Sequence, residues 1–199
     1  MRVVWVRLAA AITFGLLAAA AVADDLGPIS FVPWKVLIPG DAPGGAPLTL
    51  FWVPASADDF KHSDLLFSRP LTSFAAQCVA MDVIRADDEA MIAKLGVGGA
   101  LPVVVLIDGD GKRLGKVDNE RGAVRVSSVE RLVRDQIRVC EADLDARLED
   151  AHRKAAAGDR DAAVVTYKAV WALRCLAPRK ARTAQRELKK LGIEVAEAR

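Results

Sequence analysis

The six-residue run Leu48-Thr49-Leu50-Phe51-Trp52-Val53 is almost wholly apolar and is stopped by Pro54. A run this short and continuous fits a strand buried on both faces of a parallel or mixed sheet, not a strand with one wet side. It therefore demands partner strands at its edges and cover above and below. Hydrophobic residues make up 52% of the 199-residue chain and charged ones 27%, enough to supply a core and too apolar for a disordered one. The residues that follow supply the partners. Ser56 to Gln77 is polar and then amphipathic, with Asp58 and Asp59 in a first helical turn and Pro70 interrupting, so a helix broken near Arg69-Pro70 is predicted. Cys78 to Ile84 reads as the next strand, and Asp87 to Leu95 as a short helix closed by Gly96. Pro102 opens the β-branched run Val103 to Ile107, Asp108-Gly109-Asp110-Gly111 makes a turn, and Lys112 to Val117 returns as a hairpin strand. Ser127-Ser128 offer a cap for a helix over Val129 to Val139. Strands joined through helices run parallel and the hairpin adds an antiparallel pair, so the expected class is α/β with a mixed sheet and helices on both faces.

Two flanking regions differ in character. Arg2 and Arg7 precede an uncharged stretch, Leu8 to Ala23, that ends Ala21-Val22-Ala23: the order of a cleavable secretory signal, with a cut expected after Ala23. Sixteen Ala-rich residues are short for a retained membrane span, and no later stretch is apolar enough to be one. The expected location is periplasmic or secreted, where disulfides are permitted. Residues 24–47, with Pro28, Pro33, Pro39, Pro43 and Pro47 among glycines, read as a lead-in in which only Trp34 to Ile38 can form a strand. From residue 140 the pattern is helical: Leu144, Leu148, Ala151 and Ala155, then, after Gly158-Asp159, Ala163, Tyr167, Val170 and Trp171. The resulting division is 1–23 signal, 24–47 lead-in, 48–139 α/β domain and 140–199 helical tail.

Three pieces within this order resemble the thioredoxin superfamily, over about Leu48 to Val139. Leu50-Phe51-Trp52-Val53 resembles the strand entering the redox site, Leu95 to Pro102 the loop that presents a cis-proline, and Val103 to Val117 the hairpin beyond it. The resemblance implies a thioredoxin-like three-layer α/β/α sandwich. It also implies that a Cys-x-x-Cys pair should fall where this chain has Ser56 and Asp59. A serine has no thiolate to attack a disulfide and a carboxylate cannot resolve one, whereas both residue types cap helix N–H groups well. These two positions are therefore read as structural caps at a dead redox site. Family members pair the backbone beside the cis-proline with substrate peptide, which makes Trp52, Leu101 and Pro102 the candidate peptide-binding residues; simple packing by Trp52 and Pro102 is the competing reading. Gly158-Asp159-x-x-x-Ala163-x-x-x-Tyr167-x-x-Val170 is similar to the second half of a tetratricopeptide repeat, which implies an all-α extension. A lone unit of that kind must dock on the domain, on a twin chain or on another protein, with Trp171 as the candidate anchor.

The cysteines are Cys78, Cys140 and Cys175, with no close pair. A Cys140–Cys175 bridge is the expected pairing, clamping tail to domain, with Cys78 a buried inert thiol; thiol oxidoreductase or peroxidase chemistry through Cys78 or a Cys140–Cys175 pair is the enzymatic alternative. No cofactor is called for and no metal set is legible: His62 and His152 are the only histidines, and Lys112 and Arg113 spoil the calcium-loop likeness of Asp108 to Gly111. Twenty-eight basic against 26 acidic residues leave no field for nucleic acid. The run Arg179, Lys180, Arg182, Arg186, Lys189 and Lys190, opposed only by Glu187, is either a solvated helix face or a contact for anionic lipid or an acidic partner. The leading expectation is a redox-inactive protein- or peptide-binding module, with a homodimer through the tail as a further possibility.

Overall fold

The computed structural model describes residues 29–38, 40–41 and 45–195; the expected signal segment lies outside the described residues. The chain is α/β with a mixed five-stranded sheet. Its strands are β1 (Lys35–Val36), β2 (Leu48–Val53), β3 (Val79–Val83), β4 (Val103–Asp108) and β5 (Arg113–Val117), in the order β1-β3-β2-β4-β5. β1 and β2 run parallel to β3, whereas β4 is antiparallel to both β2 and β5. All six residues of β2 are buried, because it is the central strand and has side chains on two covered faces. Leu48, Leu50 and Trp52 point with Met81, Val83, Val104 and Leu106 to one side, and Phe51 and Val53 point with Val103 and Val105 to the other.

Helices α1 (Ala57–His62) and α2 (Arg69–Ala75), separated by a 3-10 turn at Asp64–Phe67, follow β2; α3 (Glu89–Lys94) follows β3. Leu65, Leu66 and Leu71 join the first side of the sheet, and Met91 and Ile92 of α3 pack on the second. The segment expected to be one helix broken at Pro70 is thus three pieces. Ser63 and Ser68 accept from Leu65 N and Leu71 N and start a new turn each time, so Pro70 sits in the first turn of α2, where a missing N–H costs nothing. Cys78, expected inside a strand, instead closes the turn before β3: its φ is +60° and its N–H donates to Ala75 O.

The helix expected to end at Val139 does not end there. α4 (Val126–Ala156) is a single helix of 31 residues, about 46 Å long. No Gly or Pro occurs between Gly122 and Gly158, so nothing local can interrupt it. Ser127 and Ser128 lie in its first turn and not at its cap; Arg125 holds the cap position and, among the described residues, no side chain caps it. Val129, Val133 and Ile137 pack on the sheet, while Leu144, Leu148 and Ala151 pack on α5 (Arg160–Ala172) and α6 (Pro178–Lys190). α5 runs antiparallel to α4: Tyr167 Oη is 2.9 Å from His152 Nδ1, and Lys154 Nζ is 3.4 Å from Thr166 Oγ1. Asp159 caps α5 by accepting from Ala162 N. Arg160 donates to Leu191 O, tying the start of α5 to the end of α6. Ala163, Tyr167, Val170, Ala184 and Leu188 complete this second core. Among the described residues no helix is long and apolar enough to cross a membrane.

Candidate functional site

Strand register divides the molecule into two ends. Val53 pairs with Val103, so Pro54 to Asp59 and the Leu101-Pro102 loop share the end at which β2 finishes. Leu48 pairs with Val79, so Cys78 belongs to the opposite end, about 20 Å away along a six-residue strand.

At the first end, Ser56 Oγ accepts from Asp59 N (3.1 Å) and Asp59 Oδ2 accepts from Ala55 N (2.8 Å). This reciprocal pair satisfies two N–H groups at the start of α1 and contributes about 1 kcal/mol. Both side chains are committed to backbone donors, as their residue types suggest. The Leu101–Pro102 peptide bond is cis. Asn119 Nδ2 donates to the carbonyl oxygens of both Ala100 (2.6 Å) and Leu101 (3.1 Å), which ties down the loop beside the cis bond. Trp52 is only 1% exposed, wedged between Trp34 and Phe60 with ring centroids 5.4 and 5.3 Å away. Pro102 is buried as well, and Leu101 is half-buried against the α3 side of the core. Of the three candidate peptide-binding residues, two lie inside. The apolar alternation that puts Trp52 on the α4 face of a central strand also removes it from any ligand.

At the second end, the expected Cys140–Cys175 bridge is absent. Cys175 is bonded to Cys78, with Cα atoms 5.7 Å apart and a separation of 97 positions in sequence, and Cys140 is free. The reason lies in α4: because the helix continues through residue 140, Cys140 stays on the face that packs against the sheet, while the turn after α5 brings Cys175 back to the start of β3. Cys78 is accordingly not an inert thiol. Burial pushes the Cys140 thiol above its usual pKa, Asp143 adds to the rise and Arg147 opposes it. Under non-reducing, denaturing conditions one thiol per chain should titrate with a disulfide reagent. In the native protein near pH 8 that thiol should react more slowly than free cysteine, because little of it is thiolate; a count of three would refute the bridge.

The disulfide forms part of the wall of a groove of about 800 Å³ between this end of the sheet and the α5–α6 unit. Cys175 is exposed and Cys78 half-buried. Pro47, Trp171, Arg174, Pro178 and Arg182 also line it, and the Arg174 guanidinium lies 4.3 Å above the centre of the Trp171 ring. Trp171 is half-buried, so it joins the second core on one side and borders the groove on the other. The sequence hint for this site was weak: Arg174 adjoins a cysteine, and Arg182 belongs to the basic run of α6, but nothing local says that they meet.

The remaining candidates are structural. His62 Nδ1 lies 2.9 Å from the Asp58 carbonyl oxygen and 3.3 Å from Asp58 Oδ1 on the exposed α1 surface. Asp108 Oδ1 accepts from Asp110 N and Lys112 N, closing the hairpin turn on itself. Among the described residues no three His, Cys, Asp or Glu side chains gather into a metal-binding group. The chain matches no family model and no curated protein.

Proposed function

We infer that this is an exported, thioredoxin-like protein without a working dithiol, acting as a protein- or peptide-binding module. The observation that carries this reading is the reciprocal capping of α1 by Ser56 and Asp59 at the positions where the resemblance calls for the two cysteines. Two oxygen-bearing side chains held by backbone N–H groups offer no thiolate and no resolving sulfur. The strand order β1-β3-β2-β4-β5, with helices against both faces, supports the thioredoxin-like sandwich. Packing of Ala151 against Ala163, Tyr167 and Val170 supports the tetratricopeptide-like reading of the helical extension. A disulfide suits an oxidising compartment and so agrees with export.

A second reading is favoured by the exposure of Cys175: thiol–disulfide exchange through Cys78 and Cys175. Insulin reduction with dithiothreitol as electron donor separates the two. The expected result is turnover no faster than the uncatalysed reaction, both for the mature chain and for Cys175→Ser. Turnover that disappears in Cys175→Ser would instead establish the oxidoreductase.

A further inference from the structure

Several basic side chains near the second core are ion-paired. Lys180 pairs with Asp145, Lys190 with Glu187, Lys154 with Asp150 and Arg147 with Asp143. Lys168, Arg174, Arg179, Arg182, Arg186 and Lys189 have no carboxylate partner among the described residues, and of these Arg174 and Arg182 line the same groove. No Asp or Glu is among the residues lining it. Two arginines lining one concavity supply planar, forked donors whose geometry matches carboxylates. Stacking on Trp171 orients Arg174 in advance, which reduces the entropy lost when it binds. Pro47, Pro178, Ala181 and the disulfide give the wall an apolar, stiff stretch, and Gln185 adds a polar side chain. A volume of about 800 Å³ lies within the range of sites that enclose small ligands or short chain segments.

We propose that this groove binds an acidic peptide segment of a partner protein, with Arg174 and Arg182 taking its carboxylates and the proline–disulfide wall taking an apolar side chain between them. The proposal rests on the binding reading above and names its ligand class. A membrane surface is the poorer fit. Docking on anionic lipid needs exposed apolar side chains beside the basic ones. The exposed large hydrophobics, Ile29, Phe31, Val36, Ile38, Phe67, Val139 and Val165, include none on α6 and none in the groove.

The test is calorimetric titration of the full mature chain with an acetylated octapeptide of alternating Glu and Leu, at low and at moderate salt. Binding is expected, weaker at higher salt. Arg174→Gln and Arg182→Gln should each weaken it about tenfold or more, and the Gln-for-Glu peptide should not bind. Arg186→Gln, which alters α6 outside the groove, should leave affinity unchanged. All three variants change surface side chains, and circular dichroism of each verifies the fold. Absence of binding up to about 1 mM, or equal losses in Arg186→Gln and Arg182→Gln, would overturn the proposal. So would binding of phosphatidylglycerol vesicles that depends on Arg174 while the peptide goes unbound. These outcomes leave the insulin assay untouched, so failure here is distinct from failure of the non-catalytic reading.

Discussion

Replacing Cys175 with serine is expected to lower the free energy of unfolding by about 4–5 kcal/mol, the chain-entropy value for a loop of this size. The bond closes a loop across 97 positions in sequence, from the first turn before β3 to the turn after α5, and so restrains nearly half of the unfolded chain. Urea denaturation without reductant measures the effect. Cys140→Ser should change stability by no more than about 1 kcal/mol, because that thiol is half-buried and unbonded. Dithiothreitol should bring the native chain down to the level of Cys175→Ser and leave that variant where it was. Equal losses in the two serine variants would mean that the pairing is wrong.

Trp52→Ala should cost about 4 kcal/mol, in the range for truncating a fully buried aromatic. The indole fills the space between β2 and the helices on the α4 side, touching Trp34 and Phe60 and sharing a core with Leu65, Leu71 and Val133. Among the described residues its Nε1 is buried without a hydrogen-bond partner. Trp52→Phe removes that unpaired donor and keeps a ring, so it should cost less than half as much. Thermal or urea unfolding of both variants checks this. An alanine variant of native stability that loses affinity for the acidic peptide would return Trp52 to the ligand-binding surface.

What the sequence made legible follows from periodicity. β2, β4 and β5 are where apolar runs and the Asp-Gly turn put them, because a buried strand and a hairpin turn are local patterns. The cap at Ser56 and Asp59 is local in the same sense, three residues apart. The cysteine pairing was not local. Choosing between Cys140 and Cys78 as the partner of Cys175 required knowing that α4 continues past Val139, and a helix without internal breakers carries no mark of which core each turn serves. Trp52 stood between two readings for a related reason: its resemblance to a site residue was visible in sequence, while the covering of its face of the sheet by Phe60 and Val133 emerged only from packing. The groove combines a lead-in residue, a turn before a strand and two helices, so no window of sequence contains it.

α4 belongs to both hydrophobic cores along one uninterrupted backbone, with its N-terminal turns built into the sheet and its C-terminal turns into the helical unit. Such a shared beam leaves no hinge at which the two halves can part, and neither half can lose its share of the beam without exposing the other's apolar face. Amide exchange across the junction, from Ile137 to Leu144, should therefore open only with the whole molecule, at the same rate as the buried amides of β2.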